Sequence, residues 1–311
     1  MMKIFEQDVS DMPNMCIRPP NEAYKPHMVG ERFNPFPFVE RESTVRELCG
    51  VLRHRWTDLQ SADKSEHPLH GFHAISGGGK SFFIDNFMHL DFSQNEVRDR
   101  YLQCWSREDQ VDFSQKWKRS LRLSITFNRD FEGSSDFHDR PDQLVAARLL
   151  HSHLVIGNGP DFVQYLQLHA DAKSKDLAYL KPNGALQMIL HRHRMDLNIP
   201  PSEPVHCVIF LDEVLKVHFS KSSEVVSQFC ALMHQAPSYN ASVTVFSTTL
   251  DPDVLEQERA HSNRQVVLHS LPALQHPAKF FQTDVQRMFA VAMGGVCLYY
   301  QLTLLTSFCA F

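Results

Sequence analysis

The sequence has no CxxC pair, no excess of basic over acidic residues, and no charged side chain from Met288 to Phe311. Each absence narrows the function. With 31 Lys and Arg against 36 Asp and Glu, the net charge is −5 and the pI about 6.4. That excludes the strongly basic class of nucleic-acid binders, and nucleic acid is not indicated as a partner. The seven cysteines are odd in number and scattered, at 16, 49, 104, 207, 230, 297 and 309. They form no disulfide framework and point to a reducing compartment. Cys207 and Cys230 lie in apolar segments and are expected to act as small core residues. The opening MMKIFEQDVSDMPNM carries acids and lacks an apolar h-region, so a secretory signal is absent and an intracellular place, cytoplasm or nucleus, is expected. There is no internal repeat and no low-complexity tract.

What is present is ordinary globular material: 43% hydrophobic and 22% charged side chains in 311 residues. Eighteen histidines make the charge balance sensitive near pH 6. Residues 1–37, rich in Pro, Asn and Met, read as an extended arm. The stretch FVERESTVRELCGVLRHRW, beginning at Phe38, holds an expected helix, with Val45, Leu48, Val51 and Leu52 on one face and Ser43 or Thr44 as N-cap. HGFHAIS reads as a short strand and SFFIDNFMHL as a helix. The polar stretch from Asp91 to Ser120 reads as helical with exposed charge. LRLSITFN is a strand by its alternation, and QLVAARLLHSHLV a helix. VHCVIFLDEV is a continuous apolar run ending in two acids, the pattern of a strand buried on both faces of a parallel sheet. A helix at about 222–235, the strand ASVTVFSTTL and a weaker strand RQVVLHSL follow. Strands alternating with helices predict an α/β domain over 38–275, a three-layer sandwich with a mostly parallel central sheet.

Chemistry is carried by two stretches. AISGGGKSFF, at 74–83, lies between a strand and a helix. In the pattern G-x-x-x-x-G-K-[ST], loop and helix N–H groups surround phosphates, the lysine neutralises β/γ oxygens, and the hydroxyl serves Mg²⁺. Gly79, Lys80 and Ser81 fill the last three places, and Ala74 stands in the first. Ser76, Gly77, Gly78, Gly79, Lys80, Ser81 and Phe82 are the candidate phosphate-binding residues. The second stretch is CVIFLDE, which offers Asp212 for the metal beside Ser81 and Glu213 for the attacking water. ATP and Mg²⁺ are the expected ligands.

Taken in order, these pieces resemble the AAA+/STAND class of P-loop ATPases from about Phe38 to Leu274. FVERE, at 38–42, looks like the FVGRE segment that opens many such domains beside the adenine. Arg41 and Glu42 match it, and Glu40 stands where the glycine would be. The combination with ITFN, ending at Asn128, most resembles the ATPase modules of Crinkler-type effectors and retrotransposon-hot-spot proteins. The resemblance implies adenine rather than guanine, and a homo-oligomer or a protein partner is left open beside the nucleotide. It also implies a γ-phosphate-sensing hydroxyl on the strand beside the DE strand: Thr248, with Ser247 and Thr249 as alternates. There are departures. Ala74 replaces a glycine, no Crinkler-type leader is visible, and no arginine follows Gly294 and Gly295. These bring in a second reading, a nucleotide-regulated binding module with little turnover.

Other features carry alternatives. Arg259 and Arg264 are candidates for an arginine finger, with ordinary solvated arginines as the alternative. HRHRM (191–195) and HSH (151–153) lack acid or cysteine partners at ligand spacing and are expected to form charged helical faces. KWKR (116–119) is too short to indicate nucleic acid. The segment 276–311 is expected to be a C-terminal apolar helix, truncated. A membrane anchor over 288–311 is the lesser alternative, because Gly294, Gly295, Gln301 and several hydroxyls interrupt it and only Arg287 flanks it closely.

Overall fold

The computed structural model describes residues 41–57, 67–73, 80–127, 140–154, 181–214, 222–249, 255 and 264–271. The expected arm, the loop 74–79, Asn128, Arg259 and the apolar segment 276–311 lie outside the described residues. No helix among the described residues is long and apolar enough to cross a membrane.

Five strands form one sheet: β1 (Leu69–His73), β2 (Leu121–Thr126), β3 (Val205–Asp212), β4 (Ala241–Thr249) and β5 (Val266–Ser270). Their order is β2-β3-β4-β1-β5, and every pairing is parallel. Among the described residues, seven helices accompany them: α1 (Glu42–Thr57), α2 (Lys80–His89), α3 (Asn95–Tyr101), α4 (Arg107–Arg119), α5 (Pro141–Leu154), α6 (Pro182–Leu197) and α7 (Ser222–Gln235). This is the expected α/β three-layer sandwich. Parallel strands need crossovers, and right-handed crossovers running in opposite directions place their helices on opposite faces. The chain passes from β1 to the far edge at β2 through α2, α3 and α4. It then steps back through β3 to β4 by way of α5, α6 and α7. Two separate cores result.

Strand alternation divides the side chains between them. On β3 all eight residues are buried. Cys207, Ile209 and Leu211 meet Val243 and Val245 of β4 and the apolar sides of α5, α6 and α7, an aliphatic layer. Val208 and Phe210 meet Phe72, Phe246 and the helices α1 to α4, an aromatic layer. There Phe210 stacks on Phe246 at 4.9 Å between centroids, and Phe92 meets Phe113 edge-on at 5.2 Å. Trp56 stacks on Phe113 at 5.1 Å, and Trp105 meets the same ring edge-on at 5.3 Å. The stretch 91–120 is therefore more than a polar surface. It splits into α3 and α4 around Phe92, Tyr101, Leu102, Phe113 and Trp117, all buried.

Several local expectations change. Helix α1 begins at Glu42, so neither Ser43 nor Thr44 is its cap; the Thr44 hydroxyl donates instead to Ser270 O on β5 (3.3 Å). Arg264 is no finger: its guanidinium is buried and donates to His67 O and to Cys230 O (3.2 Å). In HRHRM, Arg194 donates to the carbonyls of Pro200 (2.9 Å), Glu203 (2.7 Å) and Asn240 (2.9 Å), tying the turn before β3 to the turn before β4. Arg192 pairs with Asp196 at 2.9 Å, one helical turn on. The HSH serine, Ser152, donates to Ser124 O (2.9 Å) and fastens α5 to β2.

Two predictions follow from packing and burial. A Cβ on Gly71 would lie 2.4 Å from Leu255 Cδ1 and 2.8 Å from Leu268 Cδ2. Gly71→Val is expected to cost about 1–3 kcal/mol by overpacking, read as a lower urea midpoint, and Leu255→Ala in the same chain should recover part of it. An unchanged midpoint would show that the strand tolerates the bulk.

The second concerns pH. His70 Nδ1 lies 3.0 Å from His269 Nε2, whose Nδ1 lies 2.8 Å from Glu47 Oε1. His206 Nδ1 lies 2.9 Å from Ser242 Oγ. Burial, reinforced by His269, pushes His70 down to about 3, and burial, reinforced by Lys116, pushes His206 down to about 4. Both bases are harder to protonate folded than unfolded, so the unfolded chain binds more protons below the ordinary imidazole pKa. Their stability contribution is complete above about pH 6.5 and is lost as pH falls towards 4, by on the order of 5 kcal/mol for the two together. Urea melts between pH 7 and 4.5 check this: the loss should shrink in a His70→Gln, His206→Gln variant, and an equal loss there would refute it.

Candidate functional site

All strands being parallel, their carboxyl ends share one edge, where ligands of open α/β sheets bind. Register puts the polar residues there in a row. Thr126 is opposite Asp212, and Leu211 is opposite Ser247, so Asp212 faces Thr248 one step further along. Phe72 of β1 is opposite Thr248. By alternation Thr126, Asp212 and Thr248 lie on the aromatic side, the side on which α2 packs. Ser247 is one residue earlier, and so on the opposite face.

Asp212 is 1% exposed, and three hydroxyls from three different elements surround its carboxylate. Ser81, in the first turn of α2, donates to Oδ2 at 2.8 Å. Thr248 donates to Oδ1 at 2.7 Å. Thr126 approaches Oδ2 at 3.4 Å. Burial, helped by the charge of Glu213, pushes the Asp212 carboxyl above the usual range, while the hydroxyl donors pull it back. Lys80, the first residue of α2 and 7% exposed, lies within the field of Asp212 and Glu213. Burial lowers its pKa, and the two carboxylates oppose that shift. Lys80, Ser81, Asp212, Glu213 and Thr248 are thus brought together. A buried lysine beside two acids and a hydroxyl is the charge arrangement that suits a phosphate with a hard cation.

Glu213 follows β3 with φ of 52°. Its backbone N–H donates to Thr248 Oγ1 (3.1 Å), and the preceding carbonyl, Asp212 O, accepts from the N–H of Phe127 (3.0 Å). The acidic turn is thereby held from both neighbouring strands.

Of the other expected residues, Phe82 is half-buried in the first turn of α2, where its carbonyl accepts from Asn86 (2.7 Å). Ser76, Gly77, Gly78 and Gly79 lie outside the described residues, but the residues flanking 74–79 are placed. His73 closes β1 and Lys80 opens α2. Ser270, register partner of His73, receives the Thr44 hydroxyl, so the start of α1 with buried Arg41 borders β5 at the end of β1. Glu42 next to it pairs with Arg100 of α3. Thr126 is the residue that sequence reasoning missed. Its only signal is its place at the end of the strand LRLSIT, and its value depends on register.

The cleft of about 400 Å³ at the starts of α5 and α6, lined by Asp142, Lys181 and Gln228 among others, lies on the aliphatic side, away from this constellation. Asp142 and Lys181 pair with each other there.

No protein-family model and no curated protein matches the sequence. Among solved structures, the chain is similar to a chain of Drosophila ORC bound to DNA, at 12% identity, over 75% of this chain and 96% of that one, with a TM-score of 0.27. A chain of Drosophila ORC bound to GC-rich DNA and Cdc6 is similar at 12% identity, over 85% and 70%, with a TM-score of 0.28. At those TM-scores the likeness carries no weight, and the fold rests on its own parallel sheet and two helical layers.

Proposed function

We propose that this chain binds ATP with Mg²⁺ at the carboxyl edge of β1, β3 and β4 and hydrolyses it slowly. The observation that carries the reading is the hydrogen bond between Ser81 and Asp212, 2.8 Å long across 131 residues of sequence. It joins the end of the GGGKS stretch to the end of the apolar DE strand, the two pieces that a phosphate-loop enzyme must bring together. Lys80 then supplies positive charge to the β- and γ-phosphates, and the N–H groups of the loop and of the start of α2 supply donors.

The donor set also fits the metal. Ser81 and Asp212 offer hard oxygens, the kind Mg²⁺ takes, and Asp212 has the depth and the second hydroxyl, Thr248, to fix its orientation. Bound Mg²⁺ would neutralise charge on the phosphates. Glu213 takes the proton of the attacking water as its oxygen bonds to the γ-phosphorus and the bond to the ADP oxygen breaks. The choice of adenine rests on the FVERE resemblance and the place of Arg41. The second reading, a module whose nucleotide fixes a conformation for a partner, is favoured by Ala74 in the first glycine position.

Two measurements test this. Lys80→Ala should weaken Mg·ATP binding by about 10- to 100-fold in calorimetry, the worth of a charged hydrogen bond; unchanged affinity would reject the site. Glu213→Gln should keep affinity and slow phosphate release by about 100-fold or more. Binding by wild type without any phosphate release would favour the module over the enzyme.

A further inference from the structure

Three described non-glycine residues have positive φ, namely Asn198, Glu213 and Asn240. The two asparagines close a helix and a 3₁₀ turn, where the left-handed conformation is routine for their type. Glutamate has no such excuse. A residue of this kind in the left-handed region costs about 1–2 kcal/mol and persists only where its surroundings hold it.

The conformation has a geometric effect. Along β3, odd positions face the aliphatic layer and even positions the aromatic one. An extended Glu213 would continue that alternation and face away from Asp212. The left-handed backbone breaks the alternation, and the charge of Glu213 acts on both Lys80 and Asp212.

The hydroxyl of Thr248 accounts for the hold. A threonine hydroxyl has a single proton. Here that proton goes to Asp212 Oδ1 (2.7 Å), and the oxygen accepts the N–H of Glu213 (3.1 Å). Thr248 is fully buried. While both bonds stand, it has no proton left to give to a phosphate oxygen.

We propose that Thr248 is a positioning residue: its one hydroxyl locks Glu213 in the left-handed conformation and aims Asp212, and it serves hydrolysis through those two carboxylates rather than by touching phosphate. The hydrolytic half rests on Glu213 being the base, as argued above; the lock itself is a property of the nucleotide-free chain. Valine at 248 would keep the shape and remove the hydroxyl, whereas serine would keep the hydroxyl.

The experiment has two arms on the full chain. In nucleotide-free protein, amide hydrogen exchange at Glu213 is followed by NMR. Thr248→Val should lower its protection by about 10-fold or more while the core amides of β3 keep theirs, and Thr248→Ser should restore it. In steady state, Thr248→Val should lower kcat by about 100-fold with the Kd for Mg·ATP within about 3-fold, and Thr248→Ser should recover most of kcat. On the Glu213→Gln background, Thr248→Val should cost much less kcat than in wild type, because the route through Glu213 is already lost and only the aim of Asp212 remains. Thr248→Ala replaces valine if that variant does not fold. Full protection of Glu213 in the hydroxyl-free variant overturns the lock. Losses that multiply in full in the double variant overturn the indirect role and point to phosphate contact. A wild-type chain that binds no Mg·ATP overturns the function reading and the hydrolytic role with it, and the exchange arm still decides the lock.

Discussion

A carboxylate at the end of a buried strand must be compensated, and the rest of the site follows from how Asp212 is. Burying an unpaired charge is expensive, and the cost falls only when donors and opposite charge are built around it. Here the hydroxyl donors come from α2, β2 and β4, and the nearby cation is the first residue of α2. No single element could supply them. The carboxylate therefore fixes how the helix start and three neighbouring strand ends sit against one another.

The parallel sheet makes this possible. Equal strand direction gathers the ends on one edge, and register decides which side chains share a face. A slip of one residue between β3 and β4 would move Thr248 to the aliphatic face and bring Ser247 beside Asp212. The continuous packing of Val243, Val245 and Leu211 on one face, and of Phe210 on Phe246 on the other, holds that register on both sides. Core packing thus sets the geometry of the polar edge.

Much of this was legible in the residues. VHCVIFLD reads as a doubly buried strand because its apolar run is unbroken, and the helix over 222–235 reads from its spacing. Lys80, Ser81, Asp212 and Glu213 stood out because their chemistry is tied to local pattern. What local pattern does not hold was missed. Thr126 matters only through its register partner, and Thr44 caps nothing because Ser270, 226 residues away, takes its hydroxyl. Arg264 looks like any polar residue after a strand until two carbonyls, from His67 and Cys230, are found around it. The left-handed backbone at Glu213 has no sequence signal either, since it depends on a hydroxyl from another strand.

The separation of the two layers has an optical consequence. The sequence contains three tryptophans, and Trp56, Trp105 and Trp117 all belong to the aromatic layer. The aliphatic layer of α5, α6 and α7 has none. Intrinsic tryptophan emission therefore observes one half of the molecule, the half on which Ser81 and Thr248 lie, and is blind to loosening of the other. A fluorescence melt and a far-ultraviolet dichroism melt of this chain would agree only if the two halves come apart together.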